Sequence, residues 1–291
     1  MELLRKDRLF KLKKKNKGNT KLLNEIDKLI SDIENAEWNK PSDIKETRPD
    51  ADRVHSDGFY FFDIHIHRTM ILVVFDENEA VVIWTGSHDE YDKTFKGNKK
   101  TIDLIMERLA INNIQKLNEL KNELEYERAS SLYLKLRKLE KEDSNYTPIR
   151  KHLRKLILQY EKDHWADESQ IEDKQIEESD LAESLVRSEN EFYQKRKELI
   201  REKLKESGLN QNDLAKILGH RKSYMSELIN GLRPFSKEDL VIINRLFGIK
   251  LEELIPPFIK QNKAKKVRDA LNSLPNSKIK LSKRDFDLHI S

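Results

Sequence analysis

Apolar residues recur along this chain with two different periods, and the change of period divides it. Leu22, Ile26, Leu29, Ile30 and Ile33 fall at helical spacing, and residues 1 to about 35 read as helical with one buried stripe. Pro41 and Pro49 interrupt that pattern, with Ser42 placed to cap a short helix between them. Gly58 to Ile66 and Thr69 to Phe75 are rich in aromatic and β-branched residues, which predicts two strands with a reversal near His67-Arg68. A polar turn from Asp76 to Glu79 leads to a third strand, Ala80 to Thr85. Three strands joined by tight turns read as an antiparallel meander, covered on one face by the N-terminal helices.

Beyond Thr101 the helical period returns and stays. Leu117, Leu120 and Leu124, then Leu132, Leu134, Leu136 and Leu139, mark stripes before Pro148; Ile149, Leu153, Leu156, Ile157 and Tyr160 mark the next helix. Asp167 to Glu189 has few apolar residues and reads as a solvated helix or linker. Phe192 to Glu206 turns Leu199, Ile200 and Leu204 inward. Leu209 to Arg233 then holds two short helices. Asn210 caps the first, which buries Leu214, Ala215 and Leu218 and ends at Gly219; the second begins near Lys222, buries Met225, Leu228 and Ile229, and ends at Asn230-Gly231. A further helix from Ser236 uses Leu240, Ile243, Leu246 and Phe247, and a last turn uses Leu251, Leu254 and Ile255. The expected architecture is α+β: a small antiparallel-sheet domain over 1–100, a helical region over 101–165, an acidic linker over 166–190, a five-helix domain over 191–258 and a basic tail over 259–291.

Composition narrows the function classes. Charged residues make up 37% of the chain and the net charge is only +4, but the charge is unevenly placed. Glu161 to Glu191 carries twelve acidic and three basic residues, while 260–291 carries nine basic and three acidic. Five lysines fall between Lys11 and Lys17, either a solvated helix face or a surface toward RNA. There is no cysteine, hence neither a disulfide nor a thiolate metal site. The longest apolar run, Met70 to Phe75, is too short to span a bilayer, so a cytoplasmic protein without a membrane partner is expected.

The paired short helices predict a helix-turn-helix. Arg221, Lys222, Ser223, Tyr224, Ser226 and Glu227 are expected on the outer face of the second helix, which fits a DNA major groove; the alternative is a protein-contacting face. Leu209, Gln211, Leu214-Ala215, Leu218-Gly219, Met225-Ser226, Asn230-Gly231 and Arg233 together resemble the Cro/lambda-repressor-like (Xre) family. The resemblance implies that Gln211 and Arg233 hold phosphates, that Ser223, Tyr224, Ser226 and Glu227 lie nearest base edges with Arg221, Lys222 and Asn230 beside them, and that a homodimer binds palindromic operator DNA.

The first domain holds a second set of chemistry-bearing residues. A metal-free ribonuclease directs the 2′-oxygen of RNA onto the adjacent phosphate, which requires a base, an acid and a cation. His65, His67, Arg68, His88, Tyr91 and Lys93 supply all three types near strand ends. His65 and His67 can equally occupy a strand's solvent face, and His88 and Tyr91 can close the last strand structurally. His-x-His lacks a third ligand, so neither metal nor cofactor is expected. Ala36 to Ile44, Ala51 to Val54, Phe61 to Ile64 and Gly86 to Asp92 resemble in order and spacing the HigB-type toxins, RelE-like ribosome-dependent mRNA interferases. The resemblance implies a metal-independent mRNA endoribonuclease acting with the ribosome, with Arg68 on the phosphate, His88 in proton transfer, and Tyr91, Lys93 and His67 assisting. Two departures stand against it: the hairpin is shortened to His65-Ile66-His67-Arg68, and Ile83 replaces a common arginine. Tyr160 to Trp165 resembles the segment that precedes the helix-turn-helix of HigA-type antitoxins. The chain thus reads as toxin and antitoxin fused in that order, the toxin restrained in cis and the antitoxin an autorepressor. The alternative is a repressor whose toxin-like domain is inactive. The acidic segment is a solvated linker or a phosphate mimic over the toxin's basic face.

Overall fold

The computed structural model describes residues 1–55, 57–95, 117–141, 143–259 and 261–274. They gather into two compact units, the first drawn from 1–103 and 155–176, the second from 104–154 and 177–291. One expectation, the close of the first domain at Lys100, lies outside the described residues.

The first unit is built on a five-stranded mixed sheet: β1 (Glu2–Leu4), β2 (Asp52–His55), β3 (Phe59–Ile64), β4 (His67–Val74) and β5 (Glu79–Ser87), in the order β1-β5-β4-β3-β2. The expected meander is its centre. The edge strands are additions: β1 pairs parallel with β5, and β2 antiparallel with β3. Three residues are too few to show a period, and β2 has Val54 as its one aliphatic residue, so neither strand stood out.

α1 (Asp7–Lys15) and α2 (Thr20–Glu34) cover one sheet face. Leu9, Leu22, Ile26 and Leu29 meet Tyr60, Phe62, Ile71 and Val82 there, in one core. α3 (Pro41–Thr47) closes its end, with Trp38 stacked on Phe62. Ser42 does not cap α3. Pro41 already opens the helix, and the Asp43 carboxylate reaches back to accept from Asn39 N at 2.8 Å and Lys40 N at 3.1 Å.

The β3–β4 reversal falls at His65-Ile66, two residues before the expected place. Ile64 pairs with His67, and His65 takes a left-handed φ of 57°. His67 and Arg68 are therefore strand residues. Further along, Met70 faces Trp84 but Ile71 faces Val82, so Ile83 is the extra residue of a bulge, 2% exposed. α4 (His88–Phe95) follows β5 directly.

α6 (Thr147–His164) and α7 (Asp173–Glu206) contribute residues to both ranges. The expected linker is helical from Asp173 and continues unbroken through Glu206. Its carboxylates hide an apolar stripe: Ile176, Ala182, Leu185 and Val186 are buried. In the second unit α5 (Glu123–Leu139) begins later than the leucine pattern suggested, because Asn122 caps it by accepting from Glu125 N at 3.0 Å.

α8 (Gln211–Ile217), α9 (Lys222–Ile229), α10 (Lys237–Phe247) and α11 (Leu251–Leu254) pack with the end of α7 around Ile200, Leu214, Met225, Leu228, Ile229 and Ile243. Leu246, Leu251 and Ile255, expected inside, are exposed, as is Ile242. The tail is helical over α12 (Gln261–Ser273), and the residues beyond 274 lie outside the described range. Among the described residues no helix is long and apolar enough to cross a membrane.

Candidate functional site

The helix-turn-helix is positioned by local rules. Asn210 accepts from Asn212 N at 2.8 Å and Asp213 N at 3.3 Å, while Asp213 accepts from Asn210 N at 3.0 Å, a capping box that fixes the start of α8. Gly219 turns the chain at φ 71°. Met225, Leu228 and Ile229 are fully buried, which leaves Arg221, Lys222, Ser223 and Tyr224 exposed at the start of α9 and Gln211 half-buried at the start of α8. The N-terminal turn of the second helix is the part that reads base edges in this motif.

The remaining expected DNA-binding residues sit deeper. Ser226 and Glu227 are half-buried. Glu227 pairs with Arg233, whose guanidinium carbon lies 5.4 Å from the centre of the Tyr224 ring. Asn230 departs from the expectation: it is 6% exposed, and its amide donates to Ser226 Oγ at 3.3 Å. Its position at the helix end puts its carbonyl against a partner from elsewhere, the Lys135 ammonium of α5.

A second buried cation shares that role. Arg196, 1% exposed, donates to Leu254 O at 3.2 Å and Leu228 O at 3.5 Å. It lies among the rings of Tyr193, Phe235 and Phe192 at 4.7, 5.0 and 5.9 Å. Two cations thus hold the carbonyl end of α9, where the helix dipole is negative. Neither residue was singled out by sequence, because buried and solvated basic residues look alike in a charged stretch.

In the first unit, the expected site residues divide. Arg68 pairs across β4 with Asp63 and Gly86, on the sheet face opposite the α1–α2 core. Its Nε is 2.9 Å from Asp63 Oδ1, an ion pair whose angles fall short of a hydrogen bond, and its Cζ lies 4.6 Å from the Tyr91 ring centre. Tyr91 in turn meets Phe61 edge-on at 4.8 Å, and Phe95 closes the cluster against Trp84. Asp63 is itself clamped. Arg48 donates to its carbonyl at 3.0 Å, and Asp50 accepts from its N–H at 3.0 Å. Arg48 and Asp50 bond each other twice at 2.8 Å, and this pairing holds the Asp50 carboxyl below the usual range despite burial.

His67 points to the other face, beside Ile64, and is 8% exposed. Its Nδ1 is buried and has no hydrogen-bond partner among the described residues. Burial lowers its pKa most; Glu90 opposes this, and His65 and His88 push it down further. His67 is thus the neutral imidazole of a group that includes His65, His88 and Glu90 at the sheet's rim. His88 is exposed at the first turn of α4. Lys93, also exposed, follows Tyr91 by two residues and so lies about 200° around the helix from it, away from Arg68.

Ser87 and Glu90 set the geometry of α4. Glu90 Oε2 accepts from Ser87 N at 2.7 Å, and Ser87 Oγ accepts from Glu90 N at 3.3 Å. Gly86 is required there, since a Cβ would meet the Trp84 ring at 2.4 Å and Glu90 Oε2 at 2.9 Å. The Ser-x-x-Glu spacing is a readable capping box. It was the available signal that His88 and Tyr91 stand on a helix.

A mixed sheet with an Arg–Tyr pair on one face is thus joined in one chain to a capped helix-turn-helix, a DNA-binding motif. Comparison with known families names both. Residues 23–94 match the family model described as HigB_toxin, RelE-like toxic component of a toxin-antitoxin system, and residues 200–254 match the helix-turn-helix model. The chain thus joins a region similar to HigB-type, RelE-like toxins to an Xre-like helix-turn-helix domain. The toxin match begins after β1 and α1, although both are part of the same core. A search of curated proteins gives no match.

Proposed function

We propose that this chain is a toxin and its antitoxin in one polypeptide: an mRNA interferase-like domain restrained in cis, followed by an operator-binding autorepressor. The observation that carries the reading is the composition of the first unit. Residues 155–176, which include the Tyr160–Trp165 segment expected to precede the helix-turn-helix, cluster with the toxin-like sheet and bury Ile157, Tyr160, Trp165 and Ile171. A segment with that much buried apolar surface is not a passive linker.

In this reading Arg68 binds the scissile phosphate, steadied by Asp63 and Tyr91, and exposed His88 moves the proton; His67, buried on the opposite sheet face, has no direct part in it. mRNA on the ribosome is the substrate, and no metal or cofactor takes part. Arg221 to Tyr224 read operator bases, with Gln211 and Arg233 on phosphates. The exposed Ile242, Leu246, Leu251 and Ile255 suit a second copy, which places two α9 helices on a palindromic site about 34 Å apart. The expected domain limits, at about residues 100, 165, 190 and 258, remain part of this proposal. Expression of residues 1–100, alone and with Arg68→Ala/His88→Ala, tests the toxin. Growth arrest with cut transcripts that the double substitution abolishes supports it, and normal growth with a folded, soluble product refutes it. A reporter under the chain's own upstream DNA tests autorepression, with Arg221→Ala/Lys222→Ala expected to relieve it.

One observation favours the second reading, a repressor with an inactive toxin-like domain. Ile83, where the resemblance calls for an arginine, is a buried bulge residue, so that position offers no cation to a phosphate.

A further inference from the structure

Between Arg5 and Lys17 the chain carries eight basic residues and one acidic, Asp7. On a surface helix such a run is normally solvated, yet Lys11 is 5% and Lys13 is 9% exposed. Lys13 is held between two carboxylates, Asp27 of α2 at 2.8 Å and Glu168 at 2.6 Å. Burial alone would lower the pKa of its ammonium, but hydrogen bonds to Asp27 and Glu168 overcome this and raise it. On either side, Arg5 N donates to Glu161 Oε1 at 2.8 Å, and Lys17 Nζ lies 3.7 Å from Asp173 Oδ1. The contacts run in register: residues 5, 13 and 17 meet residues 161, 168 and 173 in the same order. A strap of carboxylates thus tracks a basic segment along its length, with Trp165 and Ile171 as apolar anchors between the charges.

We propose that the basic face of α1 is a binding surface for RNA phosphates, and that residues 161–173 occupy it as a phosphate mimic. The charge geometry favours a polyanion. The Lys13 and Lys17 ammoniums and the Arg5 backbone N–H face spaced carboxylates, the side-chain chemistry nearest to a run of phosphate oxygens. The inference deepens the proposed function and rests on its premise that the toxin-like domain acts on RNA. It assigns restraint to a surface outside the Arg68 group, in a part of the chain that the toxin family model does not reach. It also limits the mimic to the first part of the acidic segment, since 177–189 belongs to the second unit.

The test uses the full chain and a labelled single-stranded RNA 20-mer, read by fluorescence anisotropy across a salt series. Glu168→Gln/Asp173→Asn removes two strap charges at side chains 34% and 82% exposed, so the fold is kept. Affinity at 0.1 M salt is expected to rise about tenfold. The slope of log K against log salt should steepen by about 1.4, two phosphates at about 0.7 each. Adding Lys13→Gln should reverse most of the gain, which localises it to α1 rather than to the helix-turn-helix. Unchanged affinity and slope, or a gain that Lys13→Gln leaves intact, would overturn the assignment. Should circular dichroism show that the double variant is unfolded, Asp173→Asn alone carries the test with an expected gain of about threefold, and no gain overturns it. RNA affinity that rises without any transcript cleavage in cells keeps the α1 surface and fails the interferase reading. Cleavage without a rise in RNA affinity does the reverse.

Discussion

The outward face of α9 and the Arg68 group are built in opposite ways. The first is a run of consecutive residues, Arg221 to Tyr224, made accessible because Met225, Leu228 and Ile229 take the inner positions of the same short helix. The second joins a residue of β4, a residue of α4 and a carboxylate of β3, the last held in turn by Arg48 and Asp50. A reading face made from one helix is only as good as the placement of that helix. A site made from three elements depends on each of them. The two regions should therefore fail differently when their supports are removed.

The largest effect is expected where one side chain supports a whole helix. Arg196→Met leaves the carbonyls of Leu254 and Leu228 without their buried donor and removes three cation–ring contacts. A loss of about 3 kcal/mol is expected in the unfolding transition of the second unit, followed by urea titration. Operator affinity should fall with it although Arg196 is buried and bonds α9 at its carbonyl end. A variant with unaltered stability would show that the guanidinium is not what holds α9.

In the first unit the corresponding support is the box at α4. Ser87→Ala is expected to cost about 1 kcal/mol and to increase amide exchange at the start of α4. It should impair any transcript cleavage that uses His88 more than it impairs the fold. Arg68→Ala, by contrast, should change stability by under about 1 kcal/mol, because its pairing with Asp63 is partly solvated. It should still abolish any transcript cleavage. Equal losses of stability and activity would mean that Arg68 is structural.

The smallest effect concerns His67. Its folded pKa lies below the ordinary histidine value, so the unfolded chain takes up the proton first as pH falls. The neutral imidazole's contribution is complete above about pH 6.5. It is then lost as the pH falls from there through the folded pKa. Denaturant midpoints of the first unit, compared between pH 7.5 and 5.5, should show this drop, and His67→Gln should flatten it.

The same contrast explains what could be read in advance. The helix-turn-helix was legible because its caps, its Gly219 turn and its apolar spacing are all local signals. The meander was legible by composition, and its candidate site residues by their type. Their arrangement was not, because strand alternation places His67 and Arg68 on opposite faces once the reversal is fixed at His65-Ile66. The clamp of Arg48 and Asp50 on Asp63 and the strap on α1 join residues far apart in the chain, which periodicity does not report. The acidic stretch, read as a solvated helix or linker, hid its buried face because its apolar residues are few and widely spaced.

The central claim is that one chain holds a toxin together with its restraint. The most direct measurement follows growth and transcript integrity in cells expressing full-length Glu168→Gln/Asp173→Asn from a tight inducible promoter. The parent and a version carrying Arg68→Ala/His88→Ala as well serve as comparisons. Arrest and cut transcripts in the first strain alone are the predicted result. Undisturbed growth with soluble, folded protein and intact transcripts in all three would contradict it.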